Sequence, residues 1–341
     1  MAVLSSTNLT YADWAKTRSP GDMYAKAAEV LAQKNEVLLD QVMKEGNLET
    51  GDQQRIRTGL PSVYYRMMGE PTPSSKSTST QITETCAILG GWSYVNKDIA
   101  DLGDLARLRE EEAMTFMESL AQQDAATLFY GSSTNAKAYV GLANRYNALS
   151  GSENSQNVIN CGGSTNLTSA WLIGWSDSTI YGIYPKRSQA GIQHKYHDLQ
   201  IINSTNGDGD LLSTTAYADE WHLKKGLMVK DWRYAVRVAN IDTVALAARS
   251  GTQAITAATN IIYALSEAMD LIPSKSGVKL GIYCNRSVSS ALRRMALDKT
   301  ISTLTIEKGL NQFGPNIFTA TFDGVPIRIC DQITNAETAV A

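Results

Sequence analysis

The sequence has no long apolar run and no strong excess of charge. No segment of its 341 residues approaches the ~20 consecutive apolar residues that a membrane-spanning helix needs. Residues 1–16 show no basic start followed by an apolar run, so we expect no secretory signal. Lysine and arginine number 31 and aspartate and glutamate 34, a net charge of −3. This balance argues against tight non-specific nucleic-acid binding, which needs several cations on one face.

Cysteine and histidine are scarce. The cysteines form no C-x-x-C pair, so we expect four reduced thiols in a protein made in the cytosol: Cys86, Cys161, Cys284 and Cys330. His194 and His197 lie beside Asp198 in the string HKYHD, and His222 follows further along the chain. A metal site would use two histidines and a carboxylate. Because no predicted helix presents both imidazoles on one face, a polar β-loop between Gly191 and Asn203 is the preferred interpretation.

Motifs for phosphate binding and nucleophilic catalysis are absent from the sequence. Asn206–Asp210 resembles part of a calcium loop but lacks the closing glutamate, so a tight polar turn is preferred. Glu110–Glu112 diverge around a predicted helix, which favours a solvated or interface face over paired acid/base catalysis. We therefore assign no catalytic, cofactor-binding or metal-ligating residues, and we expect no cofactor and no enzymatic activity.

Two further features have a structural and a functional interpretation. Pro185-Lys186-Arg187 is a small basic turn, interpreted as a solvated loop, with contact to a polyanion or a partner subunit as the alternative. Four tryptophans lie in or beside predicted strands and are expected in the core, with a sugar-binding platform as the alternative: Trp171, Trp175, Trp221 and Trp232.

The N-terminal third predicts a helix and a long hairpin. The helix runs from Asp22 to Lys44 and ends before Gly46-Asn47. Strands at Arg55–Met68 and Thr80–Leu89 flank a polar tip at Gly69–Thr78, and Gly90-Gly91 is expected to bend the chain. These strands have few residues for a compact core. Such a hairpin is typical of a segment that packs on another subunit.

The remaining sequence predicts an α+β fold. The strongest helix spans residues 98–131 and ends at Gly131, and residues 139–243 are rich in strands. The last third alternates helix and strand, with a hairpin around Asp323-Gly324. Its predicted elements are Thr252–Ile272, Val278–Cys284, Ser287–Leu297 capped by Ser287, Ile317–Phe322 and Val325–Cys330. A projecting hairpin, a long helix and no catalytic constellation favour an assembly protein over an enzyme.

The order of these elements and a set of short strings form a specific combination. The strings are Glu45-Gly46-Asn47 with Thr50-Gly51, Arg57-x-Gly59-Leu60-Pro61, Pro73-Ser74-x-Lys76-Ser77-x-x-x-Gln81, Asp98-x-Ala100-x-Leu102, Phe129-Tyr130-Gly131, Gly141-Leu142-x-x-Arg145-Tyr146, Gly182-Ile183-Tyr184-Pro185-Lys186 and Asp231-Trp232-Arg233-Tyr234. Over about residues 15–335 the chain resembles the major capsid protein family of epsilon-fifteen-like podoviruses, which has the Hong Kong 97-like phage capsid fold.

The resemblance implies the following domains: an N-terminal arm at 1–51, an extended hairpin loop (E-loop) at 52–97, a spine helix with part of a peripheral domain at 98–139, and an axial domain with interleaved peripheral strands at 140–341. It implies a major capsid protein of a tailed double-stranded DNA bacteriophage. Pentamers and hexamers of the chain would form an icosahedral shell, assembled in the bacterial host cytoplasm. The implied partners are other copies of the chain, scaffolding, portal and decoration proteins, and packaged double-stranded DNA at the inner face, with no membrane.

Three alternatives remain open from the sequence. One is an encapsulin-like nanocompartment shell, which shares the fold class and would be filled with an enzyme cargo. Another is a carbohydrate-active β-rich protein that uses Trp171 or Trp221. The third is an accessory virion protein such as a decoration protein.

Overall fold

The fold is described from a computed structural model, which describes residues 33–103, 105–205, 211–248, 252–297, 305–309 and 317–341. The chain forms two compact units. The described residues of the first, here called the ribbon unit, are 33, 88–103, 105–124, 191–205 and 211–224. The second, here called the sheet unit, contains the described residues of 34–87, 125–190 and 225–341.

The secondary structure mixes strands and helices, as predicted. The strands are β1 (Met43–Glu45), β2 (Gly51–Gly59), β3 (Thr78–Thr85), β4 (Ala87–Asn96), β5 (Val158–Asn160), β6 (Leu167–Trp175), β7 (Ile180–Tyr184), β8 (Ile192–Thr205), β9 (Leu211–Val229), β10 (Ala235–Asp242), β11 (Lys279–Cys284), β12 (Thr305–Gly309), β13 (Ile317–Phe322) and β14 (Val325–Ile329). The helices are α1 (Val37–Asp40), α2 (Lys97–Leu102), α3 (Leu105–Tyr130), α4 (Leu142–Arg145), α5 (Thr243–Ala247), α6 (Thr252–Leu271) and α7 (Arg286–Leu297). None of the described helices is long and apolar enough to cross a membrane.

The sheet unit is built around β6, whose nine residues are all buried. Burial along the whole strand, which here includes the polar Thr168 and Ser169, is typical of a strand that is covered on both faces. β6 pairs antiparallel with β10 and β11, and the sheet continues from β11 through β14 and β13 to β12. Residues of α6 and α7 pack in the same core, which includes Ile261, Leu265, Val288 and Leu292. The runs predicted at Trp171–Trp175 and Ile180–Tyr184 are confirmed as strands.

The predicted N-terminal helix is wrong in its described part. Residues 22–32 lie outside the described residues, and the helix does not continue to Lys44. Instead α1 ends at Asp40, and β1 pairs in parallel with Gly182–Tyr184 of β7. The ladder hydrogen bonds of that pairing favour extended backbone over the helix that the apolar spacing predicts.

The hairpin exists, but its first strand is shorter than predicted. β2 pairs antiparallel with β3 and ends at Gly59, not at Met68. Pro61 follows, and proline lacks the N–H that a strand ladder uses. Residues 60–77, here called the tip, therefore form an irregular loop that includes the predicted polar segment except for Thr78, which begins β3.

The predicted bend at Gly90-Gly91 is also wrong, because β4 runs through both glycines. A Cβ at Gly91 would lie 2.9 Å from the Phe116 ring, and one at Gly90 would lie 3.2 Å from the Trp221 carbonyl oxygen. Glycine at these positions thus permits close packing within the ribbon unit and does not turn the chain.

The long predicted helix is two helices that are interrupted near Gly103. α2 begins after Asn96, whose side chain accepts a hydrogen bond from the Asp98 N–H. α3 ends at Tyr130, and the stop at Gly131 is confirmed. A Cβ at Gly131 would collide with the carbonyl oxygens of Thr127 and Tyr139, so the chain leaves the helix where only glycine fits.

The last third follows the prediction closely, with a different cap. The α7 helix begins at Arg286, and the Asn285 side chain caps it by accepting from the Val288 N–H at 3.0 Å; Ser287 is not the cap. Asp323 and Gly324 both adopt positive φ, which matches the predicted tight turn between β13 and β14.

Candidate assembly hairpin

The base of the β2–β3 hairpin is fixed by a two-point ion pair. The Arg145 guanidinium donates to both oxygens of Glu84, at 2.6 and 2.7 Å, and both side chains are largely buried. Arg145 lies at the end of α4. A paired, two-point arrangement of this kind holds geometry better than a single surface ion pair. The pair therefore fixes β3 to the body of the sheet unit.

Asp52 fixes the other strand of the hairpin. Its carboxylate accepts from the Tyr181 hydroxyl at 2.8 Å and from the Gln54 amide at 3.1 Å. Burial and the Asp52 carboxylate raise the pKa of Tyr181 well above its usual value, so the hydroxyl stays a donor. A Cβ at Gly51 would collide with the Glu84 carbonyl oxygen, which requires glycine at the closest approach of the two strands.

Ile82 is the apolar link between the hairpin and the sheet unit. It packs against buried Tyr181, Ile183 and Met228, together with Cys86. Burial, with a smaller contribution from Asp52, raises the pKa of the Cys86 thiol to about 11. Beyond this point the strands are joined by polar contacts, such as the 2.7 Å hydrogen bond from Arg55 to Ser79. The apolar contacts of the hairpin are thus confined to its base.

The tip carries a row of large apolar side chains that the rest of the described chain does not cover. They are Leu60, Val63, Tyr64, Tyr65, Met67 and Met68, and the least exposed of them is 56 % exposed. The intersubunit contact residues predicted from the sequence are Val63, Tyr65, Met67 and Ile82; the first three are exposed, and Ile82 packs within its own chain. Exposed apolar surface of this extent is typical of a protein–protein contact.

The three histidines lie on β8 and β9 in the ribbon unit, so the preferred polar loop is wrong. His194 Nε2 lies 2.7 Å from Asp219, and its ring stacks on Trp221. His197 lies 2.8 Å from Glu220, and His222 contacts the same carboxylate. The hydrogen bond from His197 is the main cause that lowers the pKa of Glu220, and His222 adds to it.

Asp198, the carboxylate adjacent in sequence, is not the partner of either His197 or His222. A strand period of two puts Glu220 and residue 218 on the same face of β9. With β8 and β9 paired so that residue 218 lies opposite His197, Glu220 comes near His197. Across the described residues, no group of three histidine, cysteine or acidic side chains is arranged to hold a metal ion.

The other predicted candidates lie in separate places. Trp171 and Trp175 are fully buried and Trp221 is 5 % exposed, so Trp171 and Trp221 do not form a sugar-binding platform. Trp232 is half-buried in a short turn. In Glu110–Glu112, burial and Glu111 raise the pKa of Glu112.

Asn206–Asp210 lies outside the described residues. In the basic turn Pro185-Lys186-Arg187, the Arg187 N–H donates to Glu45 and its guanidinium lies 4.0 Å from Glu49. The turn is therefore exposed at Arg187, in agreement with the solvated loop predicted from the sequence.

Comparison with known proteins gives one protein family and several similar solved structures. The family model for major capsid protein GP7 matches residues 19–341. Among solved structures, the chain is similar to that of bacteriophage Epsilon15, with 26 % identity, a TM-score of 0.75, and coverage of 100 % of this chain and 99 % of that chain. A comparison with curated proteins gives no match.

Two weaker similarities add nothing to the assignment. The bacteriophage JBD30 capsid is 8 % identical over 89 % of this chain and 93 % of that chain, with a TM-score of 0.48. The SrpI encapsulin of Synechococcus elongatus PCC 7942 is 10 % identical over 70 % of this chain and 96 % of that chain, with a TM-score of 0.40. This distant likeness does not favour the encapsulin alternative.

The fold expectation is confirmed: the chain has the Hong Kong 97-like capsid fold of the α+β class. It is a structural protein of the phage virion, where copies of such a chain build the shell. The chain belongs to the major capsid protein GP7 family.

Proposed function

We propose that the chain assembles as pentamers and hexamers of an icosahedral shell, and that residues 52–97 join neighbouring copies. The observation that supports this is a rigidly anchored hairpin whose tip exposes its apolar side chains. An isolated two-stranded ribbon is only marginally stable in water. A neighbouring copy would supply the apolar contact that the tip lacks.

The proposed division of the chain is the one that the family resemblance implies. Residues 1–51 form the arm, 98–139 the spine with part of a peripheral domain, and 140–341 an axial domain with interleaved peripheral strands. Assembly takes place in the host cytoplasm with scaffolding, portal and decoration proteins, and the shell encloses double-stranded DNA. No residue has a catalytic role in this proposal.

The test replaces the tip and leaves the anchors in place. Because Gly59 pairs with Thr78, residues 60–77 are replaced by Asn-Gly, which closes a two-residue hairpin. We expect a folded subunit, shown by circular dichroism and a cooperative melt, that forms no shells by electron microscopy. Normal shells from this variant would overturn the proposal.

A point variant separates the tip from general surface effects. Tyr65→Ser removes a fully exposed tip side chain, and Tyr263→Ser removes a tyrosine that is 69 % exposed on α6. We expect Tyr65→Ser to reduce the yield of shells and Tyr263→Ser to leave it unchanged. Equal yields from the two variants would show that the tip has no special role.

A further inference from the structure

The exposed face of α7 carries three arginines, Arg286, Arg293 and Arg294. Its buried side consists of Val288, Ala291, Leu292 and Met295. The opposite face lines an open groove of about 390 Å³ together with Lys34 and Ile329, and its residues are Arg286, Ser289, Ser290, Arg293 and Arg294. The helix contains no acidic residue. The near-neutral net charge of the chain thus conceals a local surface of one sign.

The carboxylates at the groove are fewer than the cations. Asp331 pairs with Arg286 at 2.6 Å and accepts from the Lys34 N–H, and Glu36 pairs with the Lys34 ammonium at 2.8 Å. Among the residues that the structure describes, four cationic side chains and two carboxylates leave two positive charges unmatched at the groove.

Arg293 and Arg294 carry the unmatched charge. Arg294 donates to the carbonyl oxygens of Leu246 and Ala248, which orients its guanidinium without neutralising it. Arg293 is exposed at the outer face.

The side chains that line the groove indicate which kind of anion binds there. A groove that binds a protein segment normally contains buried aromatic or aliphatic anchors. Here the lining consists of guanidinium, ammonium and serine hydroxyl groups, with Ile329 as its apolar member. Arginine and hydroxyl donors are the groups that contact phosphate oxygens in nucleic-acid complexes. The distance from Arg286 to Arg294 is about 12 Å along the helix, the rise of three to four nucleotides.

We propose that this face of α7 is a sequence-independent contact for the phosphodiester backbone of nucleic acid. The proposal rests on the proposed function, because the enclosed genome supplies the phosphates. A weak contact is sufficient. Its affinity is higher at low salt, and the high nucleic-acid concentration inside a filled shell raises the fraction of sites that are occupied.

The test measures binding of the full-length, unassembled subunit to a labelled 20-base-pair duplex of random sequence, by fluorescence anisotropy from 50 to 200 mM salt. We expect Arg293→Gln to weaken binding about 3- to 10-fold at 100 mM salt and to reduce the slope of log affinity against log salt by about 0.9. Adding Lys34→Gln should weaken binding further and should reduce this slope further. Arg293→Lys keeps the charge and should keep the slope.

The matched control is Arg187→Gln, an exposed arginine of the same unit whose guanidinium lies 4.0 Å from Glu49; it should bind as the wild type does. The proposal is overturned if the wild-type subunit does not bind the duplex at 50 mM salt, or if Arg293→Gln and Arg187→Gln behave alike. It is also overturned if a glutamate 20-mer competes as well as DNA, which would assign the groove to an acidic protein segment. Shell formation is scored separately by microscopy, so a failure to assemble contradicts the proposed function without deciding the binding result.

Discussion

The sheet unit and the ribbon unit hold their strands together with different interactions. In the sheet unit, β6 is buried throughout within a large apolar core. In the ribbon unit, the buried apolar cluster contains only Val95, Ile99, Ala100 and Leu108 among the described residues. The long β8–β9 pair relies instead on ion pairs and stacked rings. The comparison indicates that apolar burial stabilises the sheet unit, whereas the ribbon unit depends more on ion pairs between its side chains.

The largest effect is expected from a cavity in the sheet unit. Trp171 is fully buried, and its ring lies 5.9 Å from Phe129 and 6.0 Å from Tyr146. Trp171→Ala should lower the free energy of unfolding by about 4 kcal/mol, measured by urea denaturation. Trp92→Ala, at a half-exposed position of the ribbon unit, should cost about 1 kcal/mol or less. Equal losses would remove the proposed difference between the units.

The next largest effect is expected at a buried ion pair in the sheet unit. This pair joins the C-terminal segment to β10. Glu337 accepts from Arg237 at 2.8 Å and from the Tyr130 hydroxyl at 2.5 Å. Glu337→Gln leaves the buried guanidinium without a counter-charge and should cost about 3 kcal/mol. Glu49→Gln is the control, because Glu49 is exposed; its effect should lie within about 0.5 kcal/mol of zero.

A smaller and more local effect is expected in the ribbon unit. Asp219 accepts two hydrogen bonds from Arg109, at 2.6 and 2.7 Å, and contacts His194. Asp219→Asn should cost about 2 kcal/mol. Hydrogen exchange should show the loss of protection in β8 and in residues 211–224 of β9. Equal loss in β6 would contradict a local role.

The smallest effect depends on pH. The folded pKa of Glu220 lies below its ordinary value of 4.5, so its pairing with His197 stabilises the fold above pH 4.5. That contribution is lost as the pH falls through the lowered folded pKa. Urea denaturation between pH 3 and 7 should show wild type more stable than Glu220→Gln at the upper end, with the difference vanishing at the lower end. A difference that grows as pH falls would reverse the sign of this linkage.

Much of the sheet unit was predictable from local patterns. β6 and β7 contain the short apolar runs Trp171–Ile173 and Ile180–Tyr181, and the Asp323-Gly324 turn has a backbone conformation that those residues favour. The end of β2 at Gly59 was missed because the apolar residues after it resemble a strand, although they form the exposed tip. If another copy covers the tip, as proposed, its apolar side chains serve a contact between copies. The sequence of one chain does not distinguish such residues from those of a buried strand.

The ionic arrangement of the ribbon unit was not predictable from spacing alone. Glu220 contacts His197 because the register of β8 on β9 sets residues 197 and 218 opposite each other, and it contacts His222 two residues along its own strand. The register then shifts at a bulge between His197 and Gln200. A one-residue slip would place each of these side chains on the other face. Pair contacts of this kind follow from long-range pairing, which composition and periodicity do not specify.

The exposed tip limits how long a newly made subunit can stay unassembled. Six large apolar side chains are open to solvent until another surface covers them, and such patches associate with any available apolar surface. If the tip joins neighbouring copies, as proposed, productive assembly and non-specific aggregation compete for the same residues. The outcome of that competition depends on the rates of synthesis and of uptake into shells. Slower synthesis should raise the fraction of chains recovered in shells, and removal of residues 60–77 should raise the solubility of the free subunit.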